Sequence, residues 1–124
     1  MKKRPLLSST DIEALTETLR TIGHEARLKL IDTLQGTGEQ SVGDLEALTG
    51  IGQPGLSQQL AVLRKSGLVN TRRAAKQVYY SLSVSAFEPV AGFLSGIATE
   101  NKDRAEPRRA ASTRGSAATF ARIR

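Results

Sequence analysis

Apolar positions recur at two different spacings along the chain, and the change of spacing divides it into elements. Ile12, Leu15, Leu19 and Ile22 fall three or four residues apart, as on one face of a helix. Thr10 and Glu13 ahead of that stripe form a capping-box pair, and Gly23 ends the helix. Ala26, Leu30, Ile31 and Leu34 predict a second helix over about residues 25–34, with Gly36 as its stop. Beyond the polar loop 36–40, Ser41 caps a short third helix with Asp44 at its third position, and Val42, Leu45 and Leu48 face inward. The turn at 50–52 leads into a fourth helix. Gln53 is its expected cap and Pro54 its first residue, where the missing N–H is not needed. Leu56, Leu60 and Leu63 form its buried stripe, and Gly67 its left-handed stop.

From residue 68 the period drops to two. Segments 68–73 and 77–82 predict a β-hairpin in which Val78, Tyr80 and Leu82 share a buried face. A last helix is expected to start near Glu88-Pro89, because a proline deeper inside would break it. Val90, Phe93, Leu94 and Ile97 give it an apolar face, and Gly92 and Gly96 lie four apart on it. Two helical glycines each cost about 1 kcal/mol relative to alanine, so close packing across a dimer is one reading and incidental weakness near the chain end the other. Residues 1–9 read as a flexible basic arm, 10–100 as the folded domain, and 101–124 as a disordered basic tail without periodicity. The expected fold is mainly α with a β-hairpin wing, in the order α-α-α-α-β-β-α. That is the layout of a winged helix-turn-helix, with a recognition helix and a basic hairpin beside it.

Charge sharpens this picture. The 124 residues carry a formal +6, of which residues 101–124 contribute +5 (seven basic, two acidic) and residues 1–100 only +1. Within those first hundred, residues 47–87 contain no Asp or Glu but hold Arg64, Lys65, Arg72, Arg73 and Lys76. This segment is therefore +5 and the rest of the first hundred −4, a polarity that orients a domain on a polyanion. No apolar run approaches the ~20 residues of a membrane span, and the start MKKRPLLSST lacks the apolar core of a signal peptide, so a cytoplasmic location is expected. The chain has no cysteine and one histidine, which excludes disulfides, thiolate zinc sites and thiol redox switching.

The candidate DNA-contacting residues follow from these faces. Gln53, Ser57 and Gln58 come from the front of the fourth helix. Glutamine can donate and accept together, as an adenine edge requires. Gly55 permits close approach to DNA. Gln59 either reaches a base or packs under the helix, and Arg64 lies further along it. Arg72, Arg73 and Lys76 in the wing are placed to meet phosphates, with no acidic neighbour in their own window. Ser41, at a helix N-terminus, is a further phosphate candidate, although capping alone explains it. A solvated polar face and an ordinary charged hairpin are the bland readings of the same residues. His24 reads as a capping or packing residue rather than a metal ligand. Asp32 is either exposed or a paired carboxylate at an interface.

Three segments carry a family likeness: residues 22–31 (IGHEARLKLI), 41–45 (SVGDL), and 53–82, with LSQQLAVLRKSGLV and VYYSL at matching spacing. Together they resemble the bacterial ArsR/SmtB-type winged-helix repressors over residues 10–98, closest to the branch of reactive-sulfur-responsive and cysteine-free regulators. The resemblance implies a homodimer packed through the first and last helices, here Ile12, Leu15, Leu19, Val90, Phe93, Leu94 and Ile97. It also implies an inverted-repeat operator in double-stranded DNA and repression relieved by an inducer. The sensing chemistry of the family is missing. Asp32 stands in the register of a second-helix cysteine, residues 41–52 contain no Cys or His, and the last helix offers only Glu88 and Glu100.

These readings predict a dimeric, sequence-specific DNA-binding repressor with no cofactor, no bound metal and no membrane association. A thiol-reactive inducer is excluded, while a small organic ligand, an oxygen-ligand metal site of carboxylates and constitutive repression all stay open. No catalytic constellation supports an enzyme. The rival readings are a nonspecific, tail-driven nucleoid protein and a winged-helix protein-interaction module.

Overall fold

Among the described residues, 5–103, the computed structural model has five helices and three short strands in the order α1 (Ser9–Ile22), α2 (Glu25–Thr37), β1 (Gln40–Ser41), α3 (Val42–Thr49), α4 (Gly55–Lys65), β2 (Val69–Ala74), β3 (Gln77–Leu82) and α5 (Val84–Asp103). The chain divides into two units, Met1–Ala91 and Gly92–Arg124, with the boundary inside α5. The expected helix and strand order holds, with β1 added.

The core of the first unit is an aliphatic cluster of Leu30, Leu34, Leu45, Leu56, Leu60, Leu63, Leu68 and Val69. Leu30 and Leu34 come from one face of α2, and Leu56, Leu60 and Leu63 are the three-four stripe of α4. Ile22, Ile31, Val42, Ile51, Tyr80, Leu82, Ala86 and Phe87 pack around them, half-buried. Leu15 is the buried residue of α1, whereas Ile12 and Leu19 of the same stripe are 48% and 39% exposed.

Helix ends depart from expectation where two candidate signals compete. α1 starts earlier than Thr10: the Ser8 hydroxyl accepts the Asp11 N–H at 3.1 Å and takes the capping role assigned to Thr10. α2 runs through Gly36 and ends at Gly38, whose φ of +85° is what turns the chain. The α3 cap is as expected. The Ser41 hydroxyl accepts the Asp44 N–H at 3.1 Å, while the Ser41 N–H donates to Asp44 Oδ2 at 3.4 Å. Leu48, however, is 53% exposed, and Thr49 is buried in its stead. The Thr49 hydroxyl donates to the Leu45 carbonyl at 2.7 Å and accepts the Ile51 N–H at 3.1 Å, so its burial leaves no polar atom unmet.

The sheet is antiparallel in the order β1-β3-β2, with Ser41 opposite Tyr79 and Tyr79 opposite Arg72. β3 lies between two neighbours, and Val78 through Leu82 are all half-buried instead of alternating. A two-residue turn joins β2 and β3, with Ala75 and Lys76 at φ of 47° and 71°. Positive φ at both central residues is the geometry whose twist matches a two-stranded hairpin.

α5 begins at Val84, five residues before the proline once expected to open it. Ala86 and Phe87 pack on the core and anchor this first segment, while Pro89 itself is exposed. The single N–H that proline lacks would have bonded the carbonyl of Ser85, an exposed residue that water can serve. Helix continues to Asp103, beyond the expected boundary at 100. Residues 1–4 of the arm and 104–124 of the tail lie outside the described residues.

Candidate nucleic-acid interface

α4 is fixed from beneath by Leu56, Leu60 and Leu63, all at most 1% exposed, which sets its outer face. Ser57, Gln58, Ala61 and Arg64 are exposed. Neither Ser57 nor Gln58 has a side-chain hydrogen bond among the described residues, which leaves both groups free to meet a base edge. The helix starts one residue later than expected, because Pro54 is the N-cap and Gly55 the first helical residue. Proline has no side-chain acceptor, and Gln53 supplies one: its Oε1 accepts the Ser57 N–H at 3.1 Å. Gln53 is thus a cap through its side chain, with its amide NH2 still available. A Cβ added at Gly55 would meet nothing within 4 Å, so the fold itself does not require glycine there.

Gln59 is committed elsewhere. Arg27 Nε donates to Gln59 Oε1 at 2.9 Å, and Arg27 Nη1 donates to the Thr21 carbonyl at 3.2 Å. This half-buried arginine ties α4 to α2 and to the end of α1, and it places Gln59 under the helix instead of on its outer face. Ser41 is likewise 5% exposed, with its hydroxyl already engaged as the α3 cap. His24 occupies the N-cap of α2 without any side-chain cap bond, and Asp32 is exposed.

The cations divide into two kinds. Arg64, Lys65, Arg73 and Lys76 are exposed and form no ion pair among the described residues. Arg64 and Lys65 occupy the last turn of α4, where they also complement the negative end of the helix. Arg72 is paired, contrary to expectation. Its Nε donates to Glu39 Oε2 at 2.8 Å and its Nη2 to Glu39 Oε1 at 2.9 Å, a side-on bidentate contact. The Arg72 guanidinium also sits 5.0 Å from the centre of the Tyr79 ring. Its hydrogen bonds hold the Glu39 carboxyl below the usual carboxylate range, and the same bonds raise Arg72 further. Glu39 is 33 residues away and outside the acid-free window, so no local spacing announced it. Tyr79 was accessible to reasoning, since a two-residue turn at 75–76 sets it opposite Arg72. Strand alternation puts Arg73 on the opposite face.

Among the described residues no helix is long and apolar enough to cross a membrane, and no group of three or more His, Cys, Asp or Glu side chains could hold a metal ion. An open groove of about 340 Å³ lies between α1 and the end of α4, lined by Glu17, Thr18, Thr21, Val62, Lys65, Ser66 and Leu68.

Comparison with known proteins places this geometry. Residues 24–71 match the family model described as bacterial regulatory protein, arsR family. The chain is 50% identical over 84 residues to the biofilm growth-associated repressor of Xylella fastidiosa (strain 9a5c), covering 64% of this chain and 73% of that protein. It is 36% identical over 106 residues to the nodulation protein NolR of Rhizobium meliloti, covering 86% of each. The crystal structure of the transcriptional repressor BigR from Xylella fastidiosa superposes with a TM-score of 0.55 at 45% identity, over 72% of this chain and 95% of that one. An exposed polar helix over a buried leucine stripe, a basic wing beside it and these relatives converge on one conclusion: the chain belongs to the arsR family of bacterial regulatory proteins, DNA-binding transcriptional regulators and not enzymes.

Proposed function

We propose that this regulator is a dimeric, cytoplasmic repressor that binds an inverted-repeat operator with α4 in the major groove and the β2–β3 wing on the flanking backbone. The observation that carries this reading is the division of α4 into a sealed leucine face and an outer face where the Ser57 and Gln58 side chains have no partner among the described residues. Direct readout needs such uncommitted donors and acceptors, and the free cations Arg64, Arg73 and Lys76 beside them suit phosphates. Gln53 contributes its amide NH2 and Gly55 the close approach. Ser41 and Gln59, both engaged inside the fold, support the geometry more than they contact DNA. Arg72 reaches a phosphate only by releasing Glu39.

Dimerisation rests on exposed apolar side chains, considered unit by unit. In the first, Ile12 and Leu19 of α1 are exposed; in the second, Leu94 and Ile97 of α5 are 50% and 53% exposed. A second copy is the proposed cover for them and for half-buried Phe93. Leu15 and Val90 are already buried within one chain and serve mainly to hold their helices. With no cysteine, the inducer is not thiol-reactive. The groove beside α4, with Lys65 and Glu17 on Val62 and Leu68, offers space for a small polar organic molecule.

The test is fluorescence-anisotropy titration of the full chain with the DNA upstream of its own gene and with a random duplex, between about 50 and 300 mM salt. A preference of about 10³ or more that survives salt is the expected result. Removing residues 104–124 should leave that preference in place. Equal, steeply salt-dependent binding to both duplexes, lost with the tail, would sink the repressor reading in favour of nonspecific coating. No binding to either duplex would favour a protein-interaction module.

A further inference from the structure

Arg72 is the one wing cation among the described residues that has an intramolecular anion, and the form of that contact matters. Glu39 offers two oxygens to Nε and Nη2 at 2.8 and 2.9 Å, the same side-on arrangement by which two phosphate oxygens engage an arginine fork. The Tyr79 ring of β3 lies 5.0 Å from the guanidinium, and the pair links the segment before β1 to β2. Both partners are open to solvent, with Arg72 58% and Glu39 35% exposed at the side chain. An exposed pair exchanges readily with a competing ligand. The contact therefore neither seals the core nor fills a buried gap. It occupies an anion-binding fork in a wing whose other cations, Arg73 and Lys76, form no ion pair among the described residues.

We propose that Glu39 is a specificity-determining residue of the DNA interface: it holds the Arg72 fork in the free protein, and a backbone phosphate displaces it when the recognition helix is seated. The proposal rests on the reading of the wing as a DNA-contacting element. Its physical logic is an ion exchange. When a phosphate takes the fork, DNA releases a condensed counterion, but the freed Glu39 carboxylate is left beside a polyanion and recruits a cation in return. On a random duplex the exchange gains little, because nothing else holds the wing in place. On the operator, base contacts from α4 fix the wing against the backbone and the exchange proceeds. Glu39 thus lowers affinity for DNA in general more than affinity for the operator.

Anisotropy titrations of the wild type, Glu39→Gln, Arg72→Ala and the double variant test this, each against upstream and random duplexes from about 50 to 300 mM salt. Glu39→Gln should tighten random-duplex binding by about three- to tenfold and operator binding less, so that the ratio falls. It should also steepen the slope of log K against log salt by about one. Arg72→Ala should abolish that extra slope in the Glu39→Gln background, and in the wild-type background should weaken random binding modestly, because it leaves the Glu39 carboxylate unpaired beside the polyanion. A second measurement needs no variant at Glu39: in the 15N-labelled full chain, the Arg72 Nε–H resonance should move on adding the operator and not on adding an equal occupancy of random duplex. If Glu39→Gln leaves both affinities and the slope unchanged, or the resonance stays fixed on the operator, the pair does not exchange and the proposal is overturned. If Glu39→Gln weakens both duplexes, Glu39 is a buttress for Arg72 and the proposal is overturned in the opposite sense. Wild-type chain that binds no DNA removes the underlying wing reading itself, and that result is visible before any variant is made.

Discussion

Ser57 and Gln58 turn their hydroxyl and amide groups outward from the first turn of α4. Their neighbours Leu56 and Leu60 go to the core, so a helical turn leaves these two side chains outside with no hydrogen-bond partner among the described residues. Ser57→Ala and Gln58→Ala should each leave the melting temperature within about 4 °C of the wild type, because exposed substitutions rarely move stability beyond about 0.5 kcal/mol. Each should weaken operator binding by about 1–3 kcal/mol and relax preference at one base position. Competition titrations against single-base operator variants check this, and a uniform loss on every duplex would instead assign the two residues to the backbone. Residues of this kind were legible because a buried stripe defines its own complement. For Gln59 the sequence allows a base contact or packing under the helix, and the fold takes the second through an arginine 32 positions away on α2. Arg72 was misread because its partner too is distant in sequence. Its lack of acidic neighbours was true of the local window and untrue of the folded surface, where Glu39 arrives from before β1.

The helices were the most readable elements, because three-four periodicity over ten or more residues is a redundant signal. Their ends were less so. Ser8 and Thr10 are chemically similar starts and Gly36 and Gly38 identical stops, and only the folded geometry at the site chooses between them. β1 is two residues long and carries no period to read. The wing hairpin was located within a residue, yet its turn could not be typed from Ala75-Lys76, since neither residue favours positive φ. That mismatch predicts a gain. Ala75→Asn places a residue that tolerates the left-handed region where the turn demands it, and should stabilise the fold by about 0.5–1 kcal/mol. Chemical denaturation of the two proteins measures this; an unchanged midpoint would mean that the hairpin opens before the rest of the fold.

For the molecule as a whole, the first unit is a leucine core of modest size with its polarity sorted by charge: acid-free from 47 to 87, acidic elsewhere. This sorting was visible in the sequence and needed no fold to be seen. What the fold adds is the position of β2. It pairs with β3 on one side and is an edge strand of the sheet on the other. An unpaired strand edge is a template for another chain, and proteins commonly guard such edges with charge. Arg72 and Arg73 sit in the middle of this edge, so the cations assigned to phosphate also keep the strand from joining a stranger. A charge-neutral wing such as Arg72→Ala with Arg73→Ala should therefore show rising light scattering during concentration and heating, while Lys replacements at both positions stay clear. Solubility and recognition then draw on the same two side chains, and the wing cannot drift toward neutrality without the protein beginning to aggregate.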